Sequence, residues 1–344
     1  MSLLYEEIMN QPEALRKTFD YMKSLTPELK SSCDISAGSK VIFLGCGSSY
    51  CLAQSGSLAA QSAAGCNSLA VAGGDLLLNL DDYENLLEGA VIIAPSRSGS
   101  TSEVVRAVGN AKRKAKAVIC VTCKERNELS KLSDIVLELP WAFDSSVCQT
   151  RTVTNLYLAL LMLADAFSKT RAITARMDTM IGHLENFMSS SSENLNQIAS
   201  MDFDKAILLA DSFANGIANE GAMAFIEIAN TPALSYHLLD VRHGPMVIVN
   251  SKTLVLMMTG DRQPGLQRDL FDHLTSRQAK TVQFVSSGQP FAPAPFSFAY
   301  PADLSIAEGA IPFLYMAQMI AYRSAVRRNI DPEKPEGLSP WIEL

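Results

Sequence analysis

The chain has 344 residues, of which 48% are hydrophobic and 19% are charged, and its formal net charge is −7. This length is enough for about two domains with large cores, and the acidic balance argues against a duplex-binding protein, which would carry a basic stripe. The longest apolar stretch, Leu156–Ala164, is too short to span a bilayer and predicts a buried helix. The short basic cluster Lys112–Lys116 is typical of the solvated face of a helix. We therefore expect neither a nucleic-acid partner nor a membrane.

Strands and helices alternate along the chain after a helical lead over Tyr5–Leu25. The first half contains strand Lys40–Leu44, helix Ser49–Gln61, strand Ala90–Ala94, helix Ser102–Lys116 and strand Ala117–Thr122. The second half contains strand Asp204–Leu209, helix Phe213–Ala229, strand Thr253–Met257, helix Leu266–Gln278 and strand Thr281–Val285. This alternation predicts βαβ units and a buried parallel sheet in each half.

The predicted fold class is α/β, with two doubly wound, flavodoxin-like halves in tandem. The predicted boundaries are 1–30 for the helical lead, 31–168 for the first half, 169–196 for a helical connector, 197–330 for the second half and 331–344 for the tail. We expect the serine run Ser189–Ser192 to interrupt the helix that joins the halves. The tail is rich in proline, which predicts an extended segment that crosses the active site.

The seven cysteines are an odd number and are scattered along the chain. This pattern favours a reduced, cytoplasmic protein. The pair Cys120 and Cys123 has CxxC spacing but ends a strand-like run and has no second Cys/His pair nearby, so we expect no metal there.

Two loops in the first half carry the strongest functional signal, namely Leu44–Tyr50 (LGCGSSY) and Ala94–Thr101 (APSRSGST). Each lies between a predicted strand and a predicted helix, where backbone N–H groups, hydroxyls and a positive helix end form an anion site. Two such loops in one parallel sheet can enclose a single phosphate. The corresponding loops of the second half contain Asp211 and Asp261, which repel phosphate, so we expect one phosphate site per chain.

Further motifs extend over the whole chain: Glu7–Pro12 (EIMNQP), Val147–Thr154 (VCQTRTVT), Asn219–Glu227, Arg242–Pro245 (RHGP) and Pro332–Leu338. With the two loops, they resemble the double sugar-isomerase (SIS) domain proteins. The resemblance is to the isomerase half of glucosamine-6-phosphate synthase and to its free-standing relatives, the AgaS-type amino-sugar phosphate isomerase/deaminases and the fructosamine-phosphate deglycases. The order of the SxSGxT loop and the RHGP element is fairly specific.

The resemblance implies a set of phosphate-binding and sugar-binding residues. The phosphate ligands would be Ser48, Ser49, Ser96, Ser98 and Thr101, and the sugar would be lined by Cys46, Gly47, Val147, Gln149 and Ser339. It also implies that Glu227 is catalytic and that His243 helps to open the sugar ring from the partner subunit, which requires a homodimer or a higher homo-oligomer.

Two departures from the synthase pattern stand out. Ala224 and Pro340 occupy positions where the synthase has lysines. No glutamine-hydrolysing domain precedes the first half in this sequence, so we expect no amidotransferase activity. The remaining Glu/His pair is similar to that of the deglycases.

The chemistry expected from these residues is acid–base transfer. Moving a proton between C1 and C2 of an open-chain sugar needs one base that reaches both carbons, and a carboxylate on a rigid helix such as Glu227 suits this. Its apolar helical surroundings predict a raised pKa. His243, in a turn fixed by Gly-Pro, is a natural proton shuttle. No cofactor is expected.

Arg97 stands where the second loop of the family usually has glutamine. Its guanidinium can form a bidentate contact with the phosphate or with a carboxylate on the substrate. Both possibilities stay open at this point.

The sequence therefore predicts isomerisation, deamination or deglycation of a phosphorylated ketose or amino sugar. The alternative is a sugar-phosphate sensor without turnover, which would lack the Glu/His pair. A dinucleotide-binding oxidoreductase is disfavoured because Gly45-Cys-Gly47 lacks the third glycine of GxGxxG.

Overall fold

The computed structural model describes residues 2–291, 296–302, 304–335 and 337. The chain divides into two compact units, and each is described by itself. The first unit is Met9–Met177, and the second comprises the described residues of 2–8 and 178–337. The division falls within a helix at each crossing point.

The first unit follows the short helix α1 (Leu3–Met9) and alternates helices with strands. Its elements are α2 (Gln11–Ser32), β1 (Lys40–Gly45), α3 (Ser48–Ala64), β2 (Asn67–Ala72), α4 (Gly73–Leu78), α5 (Glu84–Leu87), β3 (Val91–Ser96), α6 (Ser102–Ala111), β4 (Ala117–Thr122), α7 (Glu128–Leu132), β5 (Ile135–Glu138) and α8 (Arg151–Ala166). The five strands form one parallel sheet in the order β2-β1-β3-β4-β5.

The second unit repeats this plan after the long helix α9. Its elements are α9 (Ala172–Ala199), β6 (Lys205–Leu209), α10 (Asn215–Ala229), β7 (Ala233–Tyr236), β8 (Thr253–Thr259), α11 (Pro264–Ser276), β9 (Lys280–Val285), β10 (Ser297–Ala299) and α12 (Ile306–Arg327). Its five strands are also parallel, in the order β10-β9-β8-β6-β7. Counted within each unit, both sheets have the flavodoxin-like order 2-1-3-4-5, so the predicted fold class is confirmed.

The first sheet is covered on both faces, which explains its continuous apolar strands. In β1, Ile42 and Leu44 pack into a cluster with α4 and α6, whereas Phe43 points to the other face. There Gly56 of α3 lies so close that an added Cβ would meet the Phe43 ring at 2.7 Å. The predicted buried helix over Leu156–Ala164 is confirmed within α8.

The predicted interruption at Ser189–Ser192 is wrong, because α9 runs through it without a break. The reason is that the serine hydroxyls donate back to carbonyls of the preceding turn: Ser189 to Glu185 O at 2.9 Å, Ser190 to Phe187 O at 3.2 Å and Ser191 to Met188 O at 3.3 Å. Such bonds satisfy the hydroxyls within the helix.

Among the predicted helix bounds, those of the lead and of α6 change most. The lead is two helices that meet at Asn10 and continue to Ser32, with Pro12 in the first turn of α2, where it is tolerated. Helix α6 ends at Ala111 instead of Lys116, because the chain must turn for Lys116 N to donate to Ala90 O and bring β4 beside β3.

The basic cluster Lys112–Lys116 therefore lies mostly in that turn. Its amines pair with carboxylates: Lys112 with Asp134 at 3.6 Å, Lys116 with Asp34 at 2.6 Å, and Lys114 with Glu84.

Within the described part of the chain, no helix combines the length and apolar character that crossing a membrane requires.

Candidate functional site

The two predicted loops leave neighbouring strands at the carboxyl edge of the first sheet. Strands β1 and β3 pair in parallel, with Phe43 opposite Ile93, and the chain goes from β1 to one side of the sheet and from β3 to the other. This is the topological switch point of an α/β sheet, where ligands bind outside the strand ends. The fold thus brings the loops Leu44–Tyr50 and Ala94–Thr101 to one place.

The first loop is tight and depends on glycine. At Gly45 an added Cβ would lie 2.4 Å from the backbone of Ser49. Gly47, the cap of α3, has φ +53°, which non-glycine residues rarely adopt. This turn lets α3 begin at Ser48, with Ser48 and Ser49 both buried in its first turn.

The second loop is held by its own serines. Ser96 Oγ accepts a hydrogen bond from Gly99 N at 3.0 Å, and Ser98 Oγ accepts one from Ser100 N at 3.2 Å. Gly99 has φ +61° and lies against the side chain of Asn127. The serine hydroxyls therefore fix the turn of this loop from within.

Among the described residues, both helix starts at this edge lack a side-chain cap. The caps are Gly47 for α3 and Thr101 for α6, and within the described chain neither makes a side-chain capping hydrogen bond. The positive ends of two helices thus meet the two loops, which is the arrangement that favours phosphate.

Arg97 connects the second loop to a third segment, residues 143–150. Its side chain is buried, and Nη1 donates to the carbonyl oxygens of Ser146 at 2.8 Å and Val147 at 3.3 Å. These bonds fix the backbone of a predicted sugar-binding residue. The structure thus gives Arg97 a positioning role, and a contact with the ligand stays a prediction.

Asp144 fastens the same segment from its other end. Its Oδ2 accepts hydrogen bonds from Thr150 N at 2.7 Å and Thr152 N at 2.8 Å, and Oδ1 lies 3.3 Å from Arg151 Nε. Arg151 also donates to Asn10 Oδ1 at 2.9 Å. Sequence reasoning missed this pair. The signal was an Asp six residues before a helix-starting Thr-Arg-Thr, which offers a carboxylate to orphan N–H groups.

Two members of the predicted set have distinctive environments. The thiol of Cys46 packs on α4, where a Cβ on Gly73 would lie 2.8 Å from Sγ, and burial raises the pKa of this thiol. Gln149 Oε1 is shielded from solvent and has no hydrogen-bond partner among the described residues. A shielded amide oxygen of this kind is suited to accept from a ligand hydroxyl.

The predicted catalytic residues lie in the second unit, whereas the two loops lie in the first. Glu227 is half-buried near the end of α10, and Ala224, at the position of a synthase lysine, is buried. His243 is exposed and follows the single turn Asp240–Arg242, before Gly244 with φ +115°. Their joint action with the loops stays a prediction, and Ser339 lies outside the described residues.

Among the described residues, no group of three or more His, Cys, Asp or Glu side chains is arranged to hold a metal ion. All seven cysteines are free thiols.

Residues 35–167 match the SIS domain model. The chain is also 23% identical over 352 residues to glutamine–fructose-6-phosphate aminotransferase [isomerizing] of Sulfolobus acidocaldarius, covering 99% of this chain and 56% of that protein. The same enzyme of Pyrobaculum aerophilum is 27% identical, covering 76% of this chain and 45% of that protein. The chain thus spans about half the length of the curated relatives it matches.

Solved structures resemble the chain over nearly its whole length, and two of them illustrate this. Glucosamine-6-phosphate deaminase of Thermotoga maritima has a TM-score of 0.82 at 26% identity and covers 100% of both chains. Tagatose-6-phosphate ketose/aldose isomerase of Escherichia coli has a TM-score of 0.83 at 21% identity, covering 99% of this chain and 97% of that one.

The fold and the loops at its first switch point define a tandem, doubly wound α/β protein. Residues 35–167 form a SIS domain, and the chain shares its overall architecture with a solved phosphosugar deaminase and a solved ketose/aldose isomerase.

Proposed function

We propose that this protein is an acid–base enzyme that deaminates or isomerises a phosphorylated amino sugar or ketose. The observation that carries the proposal is the pair of serine-rich loops at adjacent strand ends, each leading to a helix start without a side-chain cap. This arrangement favours a phosphate monoester, which the helix ends and N–H groups bind as an anion.

Deamination is the first candidate reaction, because the match with the glucosamine-6-phosphate deaminase of Thermotoga maritima covers this chain and that one over their whole length. Lysines are absent at positions 224 and 340, which in the synthase are part of its own chemistry. Deglycation of an amino-acid-conjugated sugar phosphate breaks the same kind of C–N bond and is tested in the same assay.

The proposed mechanism uses Glu227 as the base. It takes the proton from C2 of the open-chain 2-amino aldose, the electron pair forms the C1=C2 bond, and the C1 oxygen takes up a proton. Glu227 then returns a proton to C1, leaving an imine at C2 that water hydrolyses to the ketose and ammonia. We assign ring opening, by proton transfer to the ring oxygen, to His243. A positioned acid or base contributes about 10²–10⁴-fold to the rate.

The phosphate would be held by Ser48, Ser49, Ser96, Ser98 and Thr101, and the sugar by Cys46, Gly47, Val147, Gln149 and Ser339. The shielded Oε1 of Gln149 supports a sugar hydroxyl at that position. Arg97 fixes the backbone at Val147, which supports a role in shaping the sugar subsite.

The test is turnover and binding of glucosamine 6-phosphate by the unmodified chain and by Glu227→Gln. We expect release of fructose 6-phosphate and ammonia, a loss of about 10²–10⁴-fold in kcat for Glu227→Gln, and thermal stabilisation by the ligand in both proteins. The matched control is Glu193→Gln, which neutralises an exposed carboxylate on α9 of the same unit.

Stabilisation without product in the unmodified chain would favour a sensor. Absence of stabilisation by any sugar phosphate would overturn the assignment of the loops. Turnover of fructose 6-phosphate tests for isomerase activity, and turnover of amino-acid-conjugated hexose phosphates tests for deglycase activity.

We also propose that the enzyme is at least a homodimer in which His243 serves the partner's site, because His243 is exposed on the second unit. Co-expression of Glu227→Gln and His243→Ala chains tests this. Activity returns in mixed dimers if the histidine acts across the interface, and stays absent if each chain uses its own. The seven free thiols support a reducing, cytoplasmic location.

A further inference from the structure

A cavity of about 970 Å³ lies within the second unit, at the carboxyl edge of its sheet. It is bounded by the segments that follow β6, β7, β8 and β9, and residues before α12 complete it. This volume is near the upper end for small-molecule sites. None of the predicted phosphate or sugar ligands lines it.

The cavity occupies the switch point of the second sheet. Strands β6 and β8 pair in parallel, and the chain leaves them towards opposite sides, as it leaves β1 and β3 in the first unit. The loops after β6 and β8 thus correspond to the two serine-rich loops. Because ligands of open α/β sheets bind at this point, the cavity is the second unit's own candidate site.

The polar groups of the cavity are held in place by hydrogen bonds. Asp211 Oδ1 lies 3.0 Å from His237 Nδ1 and accepts from Leu238 N at 3.1 Å. Gln267 is buried, and its Oε1 accepts from Gly260 N at 3.0 Å. Ser287 Oγ accepts from Asp261 N at 3.2 Å. The loops that line the cavity are therefore ordered by contacts of their own.

The lining differs in charge from the phosphate loops. Carboxylates of Asp211 and Asp261 border the cavity with one guanidinium, that of Arg262, and the apolar surface includes Phe213 and Leu238. Carboxylates accept hydrogen bonds from hydroxyl and ammonium groups and repel a phosphate dianion. An apolar surface with a few fixed polar groups is typical of a small-molecule site.

We propose that this cavity binds a polyhydroxylated small molecule that carries an amine and lacks phosphate, with Asp211 and Asp261 as the polar contacts. The described lining of the cavity includes none of the residues of the proposed phosphosugar site, and the inference does not depend on that site.

The experiment is hydrogen–deuterium exchange of the full chain with D-glucosamine, D-glucose and glucosamine 6-phosphate as probes. We expect D-glucosamine to protect residues 211–214, 260–267 and 286–289, and D-glucose to need at least about tenfold higher concentration, since a charge-assisted hydrogen bond is lost. Asp261→Asn should weaken protection by D-glucosamine about tenfold. Asp269→Asn, an exposed carboxylate on α11 outside the cavity, should leave it unchanged.

Ser98→Ala separates this inference from the proposed function, because it alters the phosphate loop and should leave D-glucosamine protection in the second unit intact. Protection confined to residues 46–49 and 96–101, or equal protection in Asp261→Asn, would overturn the inference. Equal potency of D-glucose and D-glucosamine, or no protection of the second unit, would also overturn it.

Discussion

The carboxyl edges of the two sheets have the same topology and opposite chemistry. The first presents buried Ser48 and Ser49, and the second presents Asp211 and Asp261 around a cavity, while the helix starts described at both edges lack side-chain caps. The strand order fixes where a ligand can bind, whereas a few loop residues fix its charge. Substitutions made in matched pairs at the two edges measure how far this difference extends.

The largest expected effect concerns the buried carboxylate that fastens residues 143–150. Asp144→Asn leaves the charge of Arg151 unbalanced and weakens the bonds to Thr150 and Thr152, so we expect a loss of about 3–5 kcal/mol in unfolding free energy. Its counterpart Gln267→Ala removes a neutral clamp and should cost about 1–3 kcal/mol. Urea unfolding followed by circular dichroism measures both. Equal losses would mean that the two edges are fastened alike.

The next effect concerns the glycine of each edge. Gly99→Ala places a Cβ 2.0 Å from Asn127 at φ +61°, which should cost about 2–4 kcal/mol. Gly288→Ala has a similar φ, +87°, but its Cβ would be 3.8 Å from Asp261, so we expect only about 1–2 kcal/mol. Thermal melts compare them, and ligand-induced stabilisation by a sugar phosphate should disappear only in Gly99→Ala.

A smaller effect concerns the arginines. Arg97→Gln loses buried donors to the Ser146 and Val147 carbonyls, so we expect a loss of about 1.5–3 kcal/mol and about tenfold weaker sugar-phosphate binding. Arg262 is exposed at the rim of the cavity in the second unit, so Arg262→Gln should change the free energy of unfolding by less than about 0.5 kcal/mol.

Arg97→Lys is the control for that experiment, because it keeps the charge and cannot reproduce the planar fork. Sugar-phosphate affinity retained in Arg97→Lys and lost in Arg97→Gln would show that the charge acts on the ligand. Loss in both variants would support the positioning role.

The smallest effect is a pH dependence that belongs to the first unit. Burial raises the pKa of the Cys120 thiol from 9.0 to about 12. The folded state therefore keeps the proton that the unfolded chain loses above pH 9, so the stabilising contribution is complete below pH 9 and declines as pH rises. From this thiol we expect a loss of about 1.4 kcal/mol at pH 10. Urea unfolding at pH 8 and pH 10 checks it, and the loss should shrink in Cys120→Ala.

The sequence predicted the central strands because they are covered on both faces and read as continuous apolar runs. Short strands such as β2 and β7 were not predicted, because most of their positions are exposed or half-buried and they contain polar or small residues. The serine run in α9 misled prediction, since propensity does not reveal that hydroxyls bond within the helix.

For the candidate site, the loops could be located from the sequence because a glycine–serine turn between strand and helix is a local signal. The hydrogen-bond partner of the Arg97 side chain could not be predicted from the sequence, since Ser146 lies 49 residues further along the chain. The cavity of the second unit was equally hidden. Asp211 and Asp261 indicated that phosphate would not bind there, but only the folded loops enclose a volume.

The distribution of cysteine has a practical consequence. All seven lie between residues 33 and 148, and residues 178–344 contain none. A thiol-specific reagent therefore marks one half of the chain only, and the buried thiols react when that half opens. Counting the mass added by the reagent during mild denaturation would therefore measure when the first unit opens. The second unit adds no mass because it has no thiol, so the labelling reports on one half of the chain.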